Sequence, residues 1–348
     1  MVMRLRNTTQ SSLKYSLIGG RDQNVAMTLT QLSTFVLVAK LGSVKAAATA
    51  LNVSEPAVSQ ALAALRQQLG DPLVVRAGST MRLTTAGTRL LPIASQMVAL
   101  GADAEAAVRA GKGAPGQLRV VASGTVMEFV ATPLVDAFLE RSGRKVDTTV
   151  GMAATDEMPV LLANRFADVA LGPNLGRTVG DTADPDRGSE LISEPVFRAH
   201  LVVVTGAAPL PGSPAHWSWL VDSTATDPAS DAGRLLRRLH VPEARLRVFP
   251  GMTAAWAAAA DGAGVAIAPG HLVTARLRRG ELRVVNTAAT PCDATWYLTT
   301  LTPERRSIAA ETFRHYLSSA AALRVMREPG AGVPPSKFRP PVYVTIWS

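Results

Sequence analysis

The sequence predicts a multidomain protein in which an α-helical N-terminal part is followed by an α/β part. Three observations carry this: helical periodicity dominates residues 28–111, strands alternate with helices from Gly116 onward, and 348 residues exceed one hydrophobic core. A hydrophobic fraction of 47% against 18% charged residues places the chain among ordinary globular sequences, so packed domains are expected.

Residues 1–27 show no periodicity and are expected to form a disordered extension. They carry Arg4, Arg6, Lys14 and Arg21 without the apolar run of a secretory signal, so export is not expected. From Thr28, the apolar residues Leu32, Phe35, Val36 and Ala39 recur at helical spacing, and Gly42 is placed to stop the helix. Ser43 suits an N-cap for a short second helix, with Ala46, Ala47, Ala50 and Leu51 as its buried stripe. Asn52 and Val53 make a turn, Ser54 is the next cap, and Pro56 falls in a first helical turn, where its missing N–H costs little. Val58, Leu62, Leu65 and Leu69 then stand four, three and four residues apart, one face of a third helix. Gly70, Asp71 and Pro72 end it, and "LVVRAGSTMRLT" reads as a two-stranded wing that closes a domain over residues 28–84.

Residues 85–115 read as a long helix and a hinge. Leu90, Ile93, Ala94, Met97, Val98, Leu100 and Ala104 mark an apolar seam, Pro92 predicts a kink, and "GKGAPGQ" ends the segment. Over residues 116–327, "QLRVVAS", "VDTTVGM" and "ADVALGP" read as strands separated by helical patterns, and a second cycle follows. The alternation implies parallel pairing in two linked lobes, the second at about 196–278, with a last helix from Pro303 to Arg327. The tail at 328–348 is too rich in Pro and Gly to assign.

Lys and Arg number 36 against 27 Asp and Glu, and a net charge of +9 favours a polyanionic partner. Two helices joined by a short turn, with Ala46, Ala47 and Ala57 where they would cross, describe a helix-turn-helix. Its second helix can enter the major groove of double-stranded DNA with Ser54, Glu55, Pro56 and Ala57 in its first turn and Ser59 and Gln60 beyond. Ser54 and Ser59 can donate to phosphate, Gln60 has the amide edge that pairs with adenine, and Arg76 in the wing can reach phosphate or the minor groove. The alternative is an alanine-rich hairpin whose serines only cap.

In the second half, Ser123, Gly124 and Thr125 end a strand and begin a helix, where hydroxyls beside amide donors suit a carboxylate or similar anion. Thr155, Thr224 and Thr253 hold comparable positions, with helix capping as the alternative for each. Trp217, Trp219 and Trp256 read as core. Catalysis finds no carrier, and no cofactor or metal is expected. Cys292 is the single cysteine, the five histidines lack metal-ligand spacing, and "GAGVAI" has Ile267 where a dinucleotide fingerprint needs its third glycine. No window reaches the apolar length of a membrane span, so a cytoplasmic protein is expected.

"FVLVAKLGSVKAAATALNVSEPAVSQALAALRQQLGDPLVVRAGSTMRLTTAGTRLL", Phe35 to Leu91, resembles the N-terminal domain of the LysR-type transcriptional regulators. The match runs through Phe35, Ser43, Ala46, Ala47, Leu51, Pro56, Ala57, Ser59, Leu65, Leu69, Gly70, Leu73, Arg76, Leu83, Thr84 and Gly87, and continues more weakly to about residue 320. The resemblance implies a winged helix-turn-helix, a dimerising linker helix, and a two-lobed effector domain like that of periplasmic solute-binding proteins. It also implies a dimer or dimer of dimers on an interrupted palindromic operator, a small-molecule effector between the lobes, RNA polymerase as a further partner, and a nucleoid-associated location. Ser43 joins the DNA-contacting set through this match. Glu55 replaces the family's usual glutamine, Arg66 its common acidic residue, and Ser79 the wing's second arginine, with Arg82 the nearest substitute. The rival reading is a two-lobed small-molecule binding protein or α/β enzyme whose N-terminal helices only dimerise.

Overall fold

The computed structural model describes residues 27–77, 80–143, 145–178, 190–206, 212–228 and 230–329. The expected N-terminal extension, apart from Met27, and the tail beyond Pro329 lie outside them. The chain divides into two compact units that part between Val108 and Arg109.

In the N-terminal unit, helix α1 spans Leu29–Leu41 and opens on a reciprocal cap. The Gln31 amide donates to the Thr28 hydroxyl at 3.2 Å, and the Thr28 amide donates to the Gln31 side chain at 2.9 Å. Gly42 ends α1 at φ 66°, the left-handed conformation that glycine adopts without strain. Helix α2, Val44–Leu51, is capped by Ser43 and closed by Asn52 in the same conformation, so only three residues precede helix α3, Glu55–Leu69. Val58, Leu62 and Leu65 of α3 are buried, as are Leu32, Phe35 and Val38 of α1. The expected crossing alanines need correction: Ala47 and Ala48 are buried, whereas Ala57 is exposed. One residue along a helix turns about 100°, so Ala57 faces away when its neighbour Val58 faces the core.

Strands β1, Val74–Ala77, and β2, Thr80–Leu83, pair antiparallel with Val75 opposite Arg82 and Arg76 opposite Met81. Helix α4 then runs from Thr85 to Gly111 with Pro92 inside it. Ile93, Leu100 and Val108 on α4 are 56%, 67% and 56% exposed, an apolar seam left uncovered within the single chain.

The C-terminal unit begins with β3, Gly116–Ala122. The helix expected next is built as α5, Gly124–Val126, a π-turn at Met127–Ala131, and α6, Thr132–Arg141. Then come β4, Val146–Met152, α7, Met158–Ala163, β5, Val169–Gly172, and the short β6, Arg177–Thr178. Strand β7, Leu191–Thr205, enters the second lobe, which holds β8, Trp219–Asp222, α8, Asp231–Arg238, β9, Leu246–Phe249, α9, Met252–Ala260, β10, Val265–Pro269, α10, Gly270–Arg278, and β11, Arg283–Val285. Strand β12, Cys292–Leu301, returns the chain to the first lobe, where α11, Ile308–Leu317, and α12, Ala320–Arg327, complete the unit.

The principal strand order is β4-β3-β5-β12-β7-β10-β8-β9. Pairing within β4-β3-β5 and within β10-β8-β9 is parallel, as the alternation implied. The two long strands differ: β7 and β12 run antiparallel to each other and to their flanking strands β10 and β5. A chain that leaves one lobe and comes back must cross twice in opposite directions, which a purely parallel reading omits.

Three further departures have local causes. Serine breaks the expected final helix at 303–327, because Ser319 accepts from the Ala322 amide at 3.2 Å and starts α12 afresh. Helix α10, concealed in the sequence behind Pro269 and Gly270, buries only Val273. The second lobe continues past the expected 278, since Leu282 and Ala294 belong to its hydrophobic clusters.

Leu65→Ala should destabilise the N-terminal unit by about 2–5 kcal/mol in denaturant unfolding, the range for a fully buried leucine. In the C-terminal unit, burial holds the His271 imidazole down at about 4, with the Arg327 charge adding to the effect. Its neutral form is native, so the unfolded chain binds more protons between the ordinary 6.5 and 4. This contribution is complete above that window and is lost as pH falls through it. Thermal melts of His271→Gln should show a flatter pH dependence there.

Candidate nucleic-acid interface and ligand cleft

The buried side of α3 determines what its other side presents. Glu55, Pro56, Ala57, Ser59 and Gln60 are all exposed, and the side chains of Ser59 and Gln60 have no hydrogen-bond partner among the described residues. Ser54, also exposed, accepts from the Ala57 amide at 3.4 Å, and Ser43, half-buried, accepts from the Ala46 amide at 3.2 Å. Capping uses an oxygen lone pair and leaves each hydroxyl hydrogen available to donate. The capping and phosphate-contact readings of these serines are therefore compatible.

The wing is tied to the end of α3 and the start of α4. Asp71 Oδ1 accepts from the Leu73 amide at 2.6 Å and the Thr84 hydroxyl at 2.7 Å, while the Thr84 amide donates to the Leu73 carbonyl at 2.9 Å. A Cβ on Gly87 would sit 2.1 Å from that same carbonyl oxygen, so α4 approaches this closely only through glycine. Arg66, noted as a departure from the family pattern, donates to the Val74 carbonyl at 2.8 Å and so holds the first wing strand. Arg76 and Arg82 are exposed on this anchored pair, and Ser79 lies outside the described residues. Sequence reasoning missed the Asp71–Thr84 clamp; an Asp two residues before its amide donor was the available signal.

The second candidate site is a cavity of about 100 Å³ between the lobes of the C-terminal unit. Ser123, Gly124, Thr125, Thr155 and Thr224 line it. Thr253 does not, which corrects its expected place: it is exposed, and its amide donates to Glu128 Oε1 at 2.9 Å. The Met252 amide donates to Glu128 Oε2 at 2.7 Å, so a carboxylate from the first lobe already fills the N-terminus of α9. The lobes also approach closely at Gly124, where a Cβ would meet Thr224 Cγ2 at 2.5 Å and Asp222 Oδ2 at 3.1 Å; within the first lobe, a Cβ on Gly172 would meet Ser123 Oγ at 2.6 Å.

The charges around the cavity are the reverse of those an anion requires. Asp222 and Asp231 line it, and among the described residues no Lys, Arg or His does. Asp222, only 4% exposed, has its pKa raised by burial, with repulsion from Glu128 adding and hydrogen bonds from Thr224 and Ala225 opposing. The Thr224 hydroxyl donates to Asp222 Oδ1 at 2.7 Å. Burial also raises Asp231, which is opposed by its ion pair with Arg234. Neither acid featured in the sequence reading, although Asp222 stands at the carboxyl end of a strand, where open parallel sheets place ligands.

Trp217, Trp219 and Trp256 are buried as expected, with Trp219 donating to the Pro214 carbonyl and Trp256 to that of Ile267. Cys292 is half-buried, and desolvation pushes its thiol pKa up, away from the reactive thiolate. Among the described residues, no group of His, Cys, Asp or Glu is arranged to hold a metal, and no helix is long and apolar enough to cross a membrane.

Comparison with known proteins agrees with both halves of this architecture. Residues 29–88 match the bacterial regulatory helix-turn-helix proteins of the lysR family, and residues 111–322 match the LysR substrate binding domain. An uncharacterized HTH-type transcriptional regulator of Mycobacterium tuberculosis is 30% identical over 92% of this chain and its own full length. The HTH-type transcriptional regulator CfxR of Cupriavidus necator is 27% identical over 89% of this chain and 96% of its own. The full-length structure of the Vibrio cholerae virulence activator AphB shares the fold at a TM-score of 0.52 and 16% identity, covering 84% of this chain and 98% of its own. Matches across both the DNA-reading and ligand-binding segments establish that the chain belongs to the LysR family of bacterial transcriptional regulators.

Proposed function

We propose that this regulator reads an interrupted palindromic operator through α3 and the wing of each subunit and responds to a small molecule held between its C-terminal lobes. The observation that carries the reading is the division of α3. Val58, Leu62 and Leu65 anchor one side, while Ser59 and Gln60 stand exposed and unpartnered on another. Ser43, Ser54 and Ser59 donate to phosphate, Gln60 reads a base edge, Glu55 accepts from a cytosine amino group, and Arg76 and Arg82 contact the backbone. The exposed seam of Ile93, Leu100 and Val108 on α4 supports a homodimer, and two such dimers make the family's tetramer.

Ser123, Thr125, Thr155 and Thr224 contact the effector. The effector alters lobe closure by binding the open and closed arrangements with different affinity, and the Glu128 clasp on α9 is the contact it works against. The protein acts in the cytoplasm at the nucleoid, with RNA polymerase as its further partner, and does no catalysis of its own.

Gel retardation of a fragment upstream of its own gene tests DNA reading. Retention should weaken steeply with salt, as counterion release requires; absent or salt-insensitive retention returns the protein to the rival class of two-lobed binding proteins. Arg76→Ala should weaken binding to all sequences alike and lower the salt slope by about 1. Gln60→Ala should reduce discrimination by about 1–3 kcal/mol at one base pair, and equal losses on specific and random DNA would remove Gln60 from the readout. Ala232→Trp, which fills the cavity from α8, should abolish any change in retention caused by a metabolite extract while leaving retention itself intact.

A further inference from the structure

The ligand chemistry of the cleft follows from what its walls offer and lack. Among the described residues, every ionisable side chain lining it is an acid, Asp222 and Asp231, and the Glu128 carboxylate stands close enough to raise the Asp222 pKa. These acids are not equivalent. Asp231 is already paired with Arg234, and both oxygens of Glu128 are taken by the amides of α9. Asp222 is buried and makes no ion pair among the described residues. Its Oδ1 receives the Thr224 hydroxyl, and its Oδ2 faces Gly124 across the cleft, 3.1 Å from where a Cβ there would sit.

A second observation, independent of the acids, also points to a ligand. The Ser123 side chain is only 7% exposed, lines the cavity, and has no hydrogen-bond partner among the described residues. The hydroxyls of Thr125 and Thr155 line the same space and are likewise unpartnered. The Ser123 oxygen is not sealed away from solvent, so the partner it lacks within the chain is supplied from the cavity, by water or by a ligand. The rest of the wall includes Leu201, Val221, Ile267 and Ala294, which offer no polar group.

We propose that the effector is a small primary amine with an apolar body, its ammonium seated between Asp222 and the hydroxyls of Ser123, Thr125 and Thr155. This rests on the reading of the cleft as the effector site. An ammonium has three donors and no acceptor, and the Asp222 carboxylate, whose oxygens carry more than one lone pair each, and the hydroxyl oxygens are acceptors for them. It also gives Asp222 the counter-charge that the chain withholds, whereas a carboxylate ligand would add a like charge to a desolvated acid. With Asp231 satisfied by Arg234, one ammonium suffices and the apolar wall takes the remainder. The cavity of about 100 Å³ has room for roughly three waters at about 30 Å³ each, which limits the ligand to a short chain.

Titration calorimetry of the full-length protein with n-butylammonium, n-butyrate and n-butanol, at constant ionic strength, separates the alternatives. Butylammonium should bind at least tenfold more tightly than the other two, Asp222→Asn should weaken it at least tenfold, and Ala232→Trp should abolish it. Because a substitution at the buried, hydrogen-bonded Asp222 can impair folding, Ser123→Ala provides a second variant, with a severalfold loss for the amine expected. Preferred binding of butyrate or butanol that Ala232→Trp abolishes would overturn the amine while leaving the cleft as the effector site. Binding of butylammonium untouched by Ala232→Trp would overturn both readings. No binding by any of the three, or amine binding equal in the wild type and in both Asp222→Asn and Ser123→Ala, would overturn the amine alone. The cleft would then stand or fall on the extract experiment with Ala232→Trp.

Discussion

Burial of Val58, Leu62 and Leu65 limits α3 to one orientation within its unit, and the availability of its remaining surface follows from that limit. A fifteen-residue helix would be marginal alone in water; tertiary packing of its apolar side makes it persistent. The short segment between α2 and α3 leaves little conformational freedom, and the Asn52 and Ser54 caps satisfy backbone groups at the ends that face each other. The wing depends on the same end of the helix. Arg66 reaches Val74 from α3, and Asp71, just past its C-cap, links Leu73 to Thr84. The basic residues on the wing are thus placed by an acid and by hydrogen bonds made entirely within the N-terminal unit.

The C-terminal unit solves a different problem, that of joining two parallel sheets. Strands β7 and β12 pair from Leu191 opposite Leu301 to Leu201 opposite Cys292, with one irregularity between Trp296 and Tyr297. That shared ribbon ties the two lobes together along ten residues of paired strand. Between them the chain leaves a space bounded by hydroxyls and carboxylates. The clasp made by Glu128 occupies helix amides that an external anion would otherwise find, and its charge makes the space beside Asp222 still less hospitable to one.

Much of this was legible in the sequence because it depended on local rules. The 3.6-residue spacing of Val58, Leu62 and Leu65 identified the buried face of α3, and serines in cap positions located the starts of α2 and α3. Strands such as Val169–Gly172, buried at every position, were visible as short apolar runs. Contacts between distant residues were not legible. Asp222 gains its meaning from Gly124, nearly one hundred positions earlier, and Glu128 from an amide 125 residues away. The charge around the ligand space was not legible for the same reason: a hydroxyl-rich strand-to-helix junction signals hydrogen bonding, but the acids beside it come from the other lobe. Antiparallel β7 and β12 escaped for the same reason, since alternation records the order of elements and not the direction of return.

The near-contact of Gly124 with Thr224 also makes this spot a doorstop in waiting. Its backbone lies in the left-handed region at φ 42°, and the methyl group of the facing threonine already occupies the place a first carbon would take. A side chain added there would force Thr224 or its strand aside and hold the two lobes apart at that point. Genetic selections for signal-blind forms of this repressor or activator have, in that single hydrogen atom, a natural point of entry.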